Sequence, residues 1–329
     1  MNRASTGSLR RRLATGLVLG FLVVLALTVL GDARQVGQHL VGFEWRLAPL
    51  ILACTLFNYS LRFVKWHYYL GQIGIRDLAW WESARLFVAG FPLAVTPGKV
   101  GEALKGVWLN QKTGVPVARA IPVVVAERVS DGLAVLLLST LGVIAYPRYW
   151  PAFAIVLGGL LALVILSQIR PLALALIGWA ERFPPVQEAA HALGAFYEGT
   201  YTVFRPGALI VAVGLGTVSW LGEGVGFYWV LRGLGLPGGS ELLSLAVFIL
   251  SFSTVVGAVS ALPGGLGAAE VSIAGMLALL GGLPAETAAA ATLLIRFATL
   301  WFGVALGLGV WSFSRHLLGV AGAPEPVDS

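Results

Sequence analysis

The chain has 329 residues, of which 57% are hydrophobic and 12% charged, with a mean hydropathy of +0.84 and a formal net charge of +6. A soluble domain carries about twice that charged share, which excludes a water-soluble fold and a nucleic-acid-binding module and leaves an all-α polytopic membrane protein. The single cysteine, Cys54, excludes a disulfide framework and any thiolate metal cluster. His39, His67, His191 and His316 show no ligand spacing, so neither a metal nor a cofactor is expected.

The N-terminus reads RRRLATGLVLGFLVVLALTVLGD, basic residues followed by 18 apolar ones. A signal peptide has a shorter apolar core, about 7–15 residues, before a small-residue cleavage site. An uncleaved first helix is therefore expected, and with an external loop it fills residues 1–45. Further spans are predicted at roughly 46–70, 118–146, 150–167, 207–231 and 285–313, each judged against the about 20 residues that cross a bilayer. Between the halves, 147–206 holds a linking span and an apolar-striped segment, 170–205, expected as a cytoplasmic interfacial helix. Residues 314–329 read as a disordered cytoplasmic tail.

With the N-terminus in the cytoplasm, Arg34, Arg46, Arg148 and Arg232 fall outside, and Arg128 and Arg296 fall within spans. The other 16 of the 22 Lys and Arg, Lys105 and Lys112 among them, lie on or near the inner side. That is the bias of the positive-inside rule. Both termini are therefore expected in the cytoplasm. Trp80, Trp81 and Trp150 stand where an interfacial aromatic belt belongs.

Two stretches outside these spans echo one another: AVTPGKVGEALKG at 94–106 and SALPGGLGAAEVS at 260–272. Each has Pro-Gly, a glycine three residues on, and then a glutamate. Pro97 and Pro263 interrupt the incoming helix, and Gly98, Gly101, Gly264, Gly265 and Gly267 permit a tight turn. Two helical hairpins are predicted, 82–110 and 240–281. The arms of the first are too short to cross and point to re-entry; those of the second are longer, which leaves open a full crossing.

The echo extends outward. WHYYLGQIGI (66–75) precedes the first hairpin and FYWVLRGLGL (227–236) the second, in matching register. A helix bearing Arg128 follows the first, and one bearing Arg296 the second. The chain thus reads as one membrane domain, 1–329, with repeat 1 at 46–146 and repeat 2 at 207–313. On the positive-inside map the repeats enter from opposite faces. Inverted repeats with broken helices are a transporter architecture.

The breaks point to chemistry. A helix beginning after Pro-Gly presents free N–H groups and positive dipole. Lys99, Arg128 and Arg296 add cationic charge near the same depth, which suits a phosphate or another anion. Glu102 and Glu270 serve either this site or their own helix N-termini. Arg128 has Glu127 and Asp131 as neighbours in sequence. Glu223, also within a span, falls opposite Arg62 in the 66/227 register; the two either form an inter-repeat salt bridge, or Glu223 carries a proton.

TPGKVGEALK, AERVSDGL and LPGGLGAAE together resemble the lysylphosphatidylglycerol synthase transmembrane-region family, over residues 15 to 315. The flippase domain of the bacterial multiple peptide resistance factor belongs to it. The resemblance implies movement of a lipid between leaflets of the bacterial cytoplasmic (inner) membrane, with membrane lipids and a lipid-synthesising enzyme as partners. The lipid itself stays open among phospholipids, aminoacyl-phospholipids and polyprenyl-phosphate-linked lipids. The soluble aminoacyl-transferase domain of the larger members has no counterpart in these residues, so a stand-alone form is expected. Two other readings remain: a membrane enzyme acting on a lipid-linked phosphate or sugar, for which no catalytic constellation is found, and a small-solute or ion-coupled transporter. The sequence leaves the oligomeric state open.

Overall fold

The computed structural model describes residues 32–96, 101–145, 150–180 and 187–314, with a few positions between 15 and 23. Pro97, Gly98 and Lys99, most of the expected N-terminal helix and the tail from 315 lie outside the described residues. The described chain is helical throughout, with no strand. Its helices are α1 (Ala33–Val41), α2 (Ala48–Gln72), α3 (Trp80–Ala89), α4 (Leu104–Thr113), α5 (Val117–Ala145), α6 (Trp150–Gln168) and α7 (Arg170–Ala180). There follow α8 (Gln187–Val203), α9 (Pro206–Gly233), α10 (Ser240–Val259), α11 (Ala268–Gly281), α12 (Ala285–Arg296) and α13 (Phe302–Phe313).

Among the described residues, five helices are long and apolar enough to cross a membrane: Trp45–Gln72, Pro206–Gly233, Ser240–Val259, Pro263–Gly281 and Ala285–Phe313. The two hairpins differ. In the first, α3 and α4 have 10 residues each, about 15 Å at 1.5 Å per residue. In the second, α10 alone has 20 residues, about 30 Å on the same rise. Both arms of the second hairpin thus reach spanning length, and re-entry does not follow from its dimensions.

α2 and α9 form the central antiparallel pair. Gly216, Gly222 and Gly226 of α9 lie against Lys65, Phe57 and Cys54 of α2, so one number rises as the other falls. Small residues let two helices approach closely where no hydrophobic force drives them together. At the crossing, Asn58 Nδ2 donates to the Ser219 carbonyl and Ser219 Oγ donates to the Asn58 carbonyl, both at 3.1 Å.

The hairpins pack on the long helices of the opposite half. α10 lies along α5, and α3 lies against α13, where Trp311 Nε1 donates to the Ala89 carbonyl at 2.9 Å. The hairpin turns, Phe91–Val95 and Pro263–Gly265, touch each other: a Cβ built on Gly264 would stand 3.2 Å from Val95 Cγ1. Gly264, Gly265 and Gly267 all take positive φ, and Gly265 lies so close to Gly257 that any side chain there would collide with the other arm's backbone.

The segment expected as one interfacial helix over 170–205 is two helices, α7 and α8. α8 is not a surface strap alone: it packs along the start of α5, where Gly199 meets Pro122 and the Arg119 carbonyl. Of the apolar stripe in 170–205 (Val186, Leu193, Tyr197, Tyr201 and Phe204), Tyr197 and Phe204 are buried, Tyr201 is half-buried and Leu193 is exposed, while Val186 lies outside the described residues. Trp80, Trp81 and Trp150 are exposed at the starts of their helices.

Replacing Gly226 by Leu would wedge the central pair apart, because its Cβ position is 3.1 Å from Cys54 Cβ. Overpacking of this kind costs about 1–3 kcal/mol, and a lowered unfolding midpoint in detergent is the expected outcome. Gly207→Leu, where nothing stands within 4 Å, serves as the silent comparison.

Candidate functional site

The site grows from one turn of α5. Glu127 and Asp131, four residues apart, share a helix face, and Arg128 lies beside them. All three fall inside a hydrophobic helix, where ionised groups are costly unless paired. Each is paired.

Asp131 is the hub. Lys65 and Arg62, one turn apart on α2, both reach it. Lys65 makes a direct ion pair and hydrogen bond, and Arg62 Nη2 stands 3.2 Å from Oδ2. Trp220 Nε1 of α9 donates to Asp131 Oδ1 at 3.2 Å, and Arg128 lies 3.9 Å from Oδ2. Gly216 of α9 faces Lys65 Nζ and lies close against Ala134 of α5, whose Cβ would be 3.0 Å from one built on the glycine. Lys105 of α4 pairs with Glu127 at 3.2 Å, its ammonium lying over the rings of Trp66 and Phe87. Its stem passes over Gly90, where a Cβ would stand 2.2 Å from Lys105 Cε.

Each hairpin then contributes one glutamate to an arginine on the following helix. Glu102 pairs with Arg128 at 3.2 Å, and Glu270 with Arg296 at 2.5 Å; both glutamates precede their arginines by 26 residues. Glu270 also accepts from the Gly267 amide at 2.7 Å, so it caps its own helix as well. Arg296 Nη2 donates to the Gly264 carbonyl at 2.9 Å and so holds the hairpin tip. In the first hairpin, Thr96 closes the tip by accepting from the Gly101 amide and donating to the Leu93 carbonyl.

α12 does not continue as a plain α-helix. A π-helical turn, Phe297–Trp301, follows Arg296 directly, and Tyr59 of α2 donates its hydroxyl to the Thr299 carbonyl. π-turns inside helices gather at functional sites. One was not legible in the sequence, where 285–313 reads as an uninterrupted span.

These groups surround a cavity of about 170 Å³, lined by Tyr59, Arg62, Glu102, Lys105, Arg128, Trp220, Glu223 and Arg296, with Gly264 and Gly265 of the second tip. A second cavity of about 580 Å³ shares Arg62, Glu102, Arg128 and Trp220 with the first. It extends along apolar walls from α5, α6 and α10, including Val124, Leu160 and Val255, to Val259 on the exposed outer surface.

The structure therefore gathers Arg62, Glu102, Arg128, Glu223, Gly264, Gly265 and Arg296 around one cavity. Asp131 lines the second cavity, and Glu127, Pro263, Gly267 and Glu270 stand behind as partners and tip residues. One expectation is corrected: Arg62 does not bridge to Glu223, because Asp131 takes it. Glu223 is 5% exposed and makes no ion pair or hydrogen bond among the described residues. Among the described residues, the cationic charge around the cavity is largely paired. Five basic side chains (Arg62, Lys65, Lys105, Arg128, Arg296) are matched by four carboxylates (Glu102, Glu127, Asp131, Glu270).

Sequence reasoning passed over Lys65 and Lys105, counting them with the inner-side cations. Lys65 lies within a predicted span and is fully buried, and a lysine at that depth was signal enough. Tyr59 and Trp220 were also passed over. Among the described residues no group of three His, Cys, Asp or Glu is placed to hold a metal ion.

Comparison with known proteins gives two findings. The family model described as the lysylphosphatidylglycerol synthase TM region matches residues 15–307. A UPF0104 membrane protein of Methanothermobacter thermautotrophicus is 25% identical, over 88% of this chain and 90% of its own length.

Asp131→Ala would strand Lys65 and Arg62 without a counter-charge. Removing one partner of a buried pair costs about 3–5 kcal/mol, so a large drop in unfolding midpoint is expected. Lys112→Ala, whose pair with Glu82 is well exposed at 40% and 41%, is expected to leave the midpoint unchanged.

Proposed function

Because the chain belongs to the lysylphosphatidylglycerol synthase transmembrane-region family, we propose that it moves a phosphate-bearing lipid between leaflets, as a flippase or scramblase. The observation that carries this reading is the shared wall between a charged cavity and an apolar one. Arg128 borders both, which is the layout an amphipath needs: head group among the ion pairs, acyl chain along α5, α6 and α10. A solute site needs only the first cavity. Arg128 is the best placed contact for a phosphate oxygen, since its side chain is 31% exposed against 12% for Arg62 and 15% for Arg296. Guanidinium forks match phosphate in geometry as well as charge.

The proposed mechanism is alternating access by two inverted repeats. Its support is a set of contacts that recur under fixed shifts. A shift of 161 residues carries Asn58 to Ser219, the pair that exchanges hydrogen bonds at the central crossing. The same shift carries Tyr59 to Trp220. A shift of 168 carries Glu102 to Glu270, Arg128 to Arg296 and Asp131 to Thr299. Tyr59 bonds to Thr299, and Trp220 to Asp131, so each contact is the image of the other. Reciprocal contacts of this kind are what a two-fold axis through a self-complementary interface produces. In this reading the short first hairpin re-enters, the termini face the cytoplasm, and the touching tips form the barrier that parts as the halves exchange conformations.

The test is head-group translocation in proteoliposomes with labelled anionic, zwitterionic and polyprenyl-phosphate lipids. Arg128→Ala is expected to lower the rate of the phosphate-bearing probe at least tenfold, with Arg128→Lys intermediate. Val255→Trp, at a residue that lines the apolar cavity and not the charged one, is expected to slow lipid movement as well. Unaltered lipid movement in both variants would refute the assignment. A folded wild type that moves no lipid above empty liposomes, yet carries a soluble anion, would transfer the site to solute transport.

A further inference from the structure

Four carboxylates around the charged cavity each face a basic side chain within 4 Å; Glu223 faces none. It projects from the middle of α9 into the cavity, 5% exposed, and makes no hydrogen bond among the described residues. The groups that act on it come from three neighbouring helices: Tyr59 and Arg62 of α2, Asp131 of α5 and Arg296 of α12. α10, also packed on α9, offers no charged group to the cavity, its polar side chains there being Ser253 and Thr254. Arg62 is already bound to Asp131, and Arg296 to Glu270 and the Gly264 carbonyl.

The charge count then constrains what enters. With Glu223 ionised, the five described cations meet five described anions, and the described part of the empty site is formally neutral. A phosphodiester head group brings one further negative charge into a region held out of water, where an uncompensated ion is costly. A proton on Glu223 cancels that charge with no rearrangement of the other pairs.

We propose that Glu223 is a proton-binding site loaded together with the lipid, so that each monoanionic head group crosses with one proton. The inference rests on the head-group reading above and adds an ion coupling to it. It makes transport electroneutral and gives it a driving force, the transmembrane proton gradient, with no nucleotide required. A neutral or zwitterionic head group brings no net charge and leaves Glu223 unused.

The experiment uses the full chain in phosphatidylcholine vesicles holding a trace of labelled phosphatidylglycerol, with and without a pH difference, against empty vesicles. At equal pH the label is expected to equilibrate between leaflets. With a gradient of one pH unit it is expected to accumulate about tenfold in the leaflet on the alkaline side, the ratio that one proton per lipid sets. In Glu223→Gln, a variant of equal size, that accumulation is expected to vanish, whereas Glu82→Gln at the surface keeps it. Proton uptake on adding phosphatidylglycerol to the detergent-solubilised protein is expected in wild type and absent in Glu223→Gln. A wild type that equilibrates the lipid but ignores the gradient overturns the coupling alone. Accumulation that survives in Glu223→Gln overturns the assignment to Glu223. A wild type that moves neither labelled phosphatidylglycerol nor a labelled polyprenyl-phosphate lipid at equal pH overturns the head-group reading, and the coupling with it.

Discussion

The buried ion pair between Lys65 and Asp131 is the constraint around which the rest is arranged. A lysine ammonium fully removed from solvent is tolerable only against an ionised acid with its remaining lone pairs satisfied. Asp131 meets the charge part of that demand: Oδ1 accepts from Lys65 and from the indole of Trp220 on α9, and Arg62, from the same helix as Lys65, stands 3.2 Å from Oδ2 as an ion pair with no hydrogen bond. Three helices, α2, α5 and α9, are thereby fixed in depth and rotation relative to one another. Gly216 follows as a consequence of that close approach, since any side chain there would press on Ala134. Ridges of Leu and Val pack at many registers, whereas a four-way polar contact is satisfied at one.

The two halves meet this demand differently. Under the shifts of 161 and 168 residues, Lys65 corresponds to Gly226, Lys105 to Ile273 and Asp131 to Thr299. The first half therefore holds its hairpin by side-chain charge: Lys105 to Glu127 and Glu102 to Arg128. The second half has only Glu270 and Arg296, and makes up the difference with backbone, through the Gly264 carbonyl, the Gly267 amide and the π-turn carbonyl that accepts from Tyr59. Both hairpins are thus anchored to the helix that follows. Under the proposed repeat, this difference in chemistry gives the exchange of conformations two states of unequal energy, a bias that a load or a gradient then has to overcome.

Much of this was legible in the sequence, and the limits have physical causes. The second Pro-Gly break and the two arginines, Arg128 and Arg296, correspond to contacts among the described residues, because breaks and intramembrane charges are costly and so stand out; Pro97 and Gly98 lie outside the described residues. The partner of each charge was not legible. Arg62 was matched with Glu223 by register, but register relates positions across the halves and says nothing of which acid is nearer in space; Asp131, on a third helix, was. The glycine echo also misaligned the glutamates, since Pro97 and Pro263 are 166 residues apart and Glu102 and Glu270 are 168. Two residues inserted in the second tip, where Gly264 and Gly265 coil at positive φ, account for the slip. Lys65 escaped notice because a lysine near the end of a span looks like one that reaches for the interface; only packing by Gly216, Ala134 and Asp131 reveals that it does not.

The balance of charge bears on how any load crosses. Each half of an alternating-access cycle must pass the protein through a closed state in which the site is sealed from both faces, and the sealed site is where an unmatched charge costs most. Among the described residues the empty site meets that condition with Glu223 as the anion that completes the balance. A loaded site must meet it too, and a cavity of about 170 Å³ has little space for a hydrated counter-ion beside a head group. A proton needs no volume. The acyl chain imposes no such limit, since the slot along α5, α6 and α10 is apolar and reaches the outer surface at Val259. Head group and tail are thus subject to separate physics, electroneutrality for the first and continuity with the bilayer for the second, and Arg128 stands where the two meet.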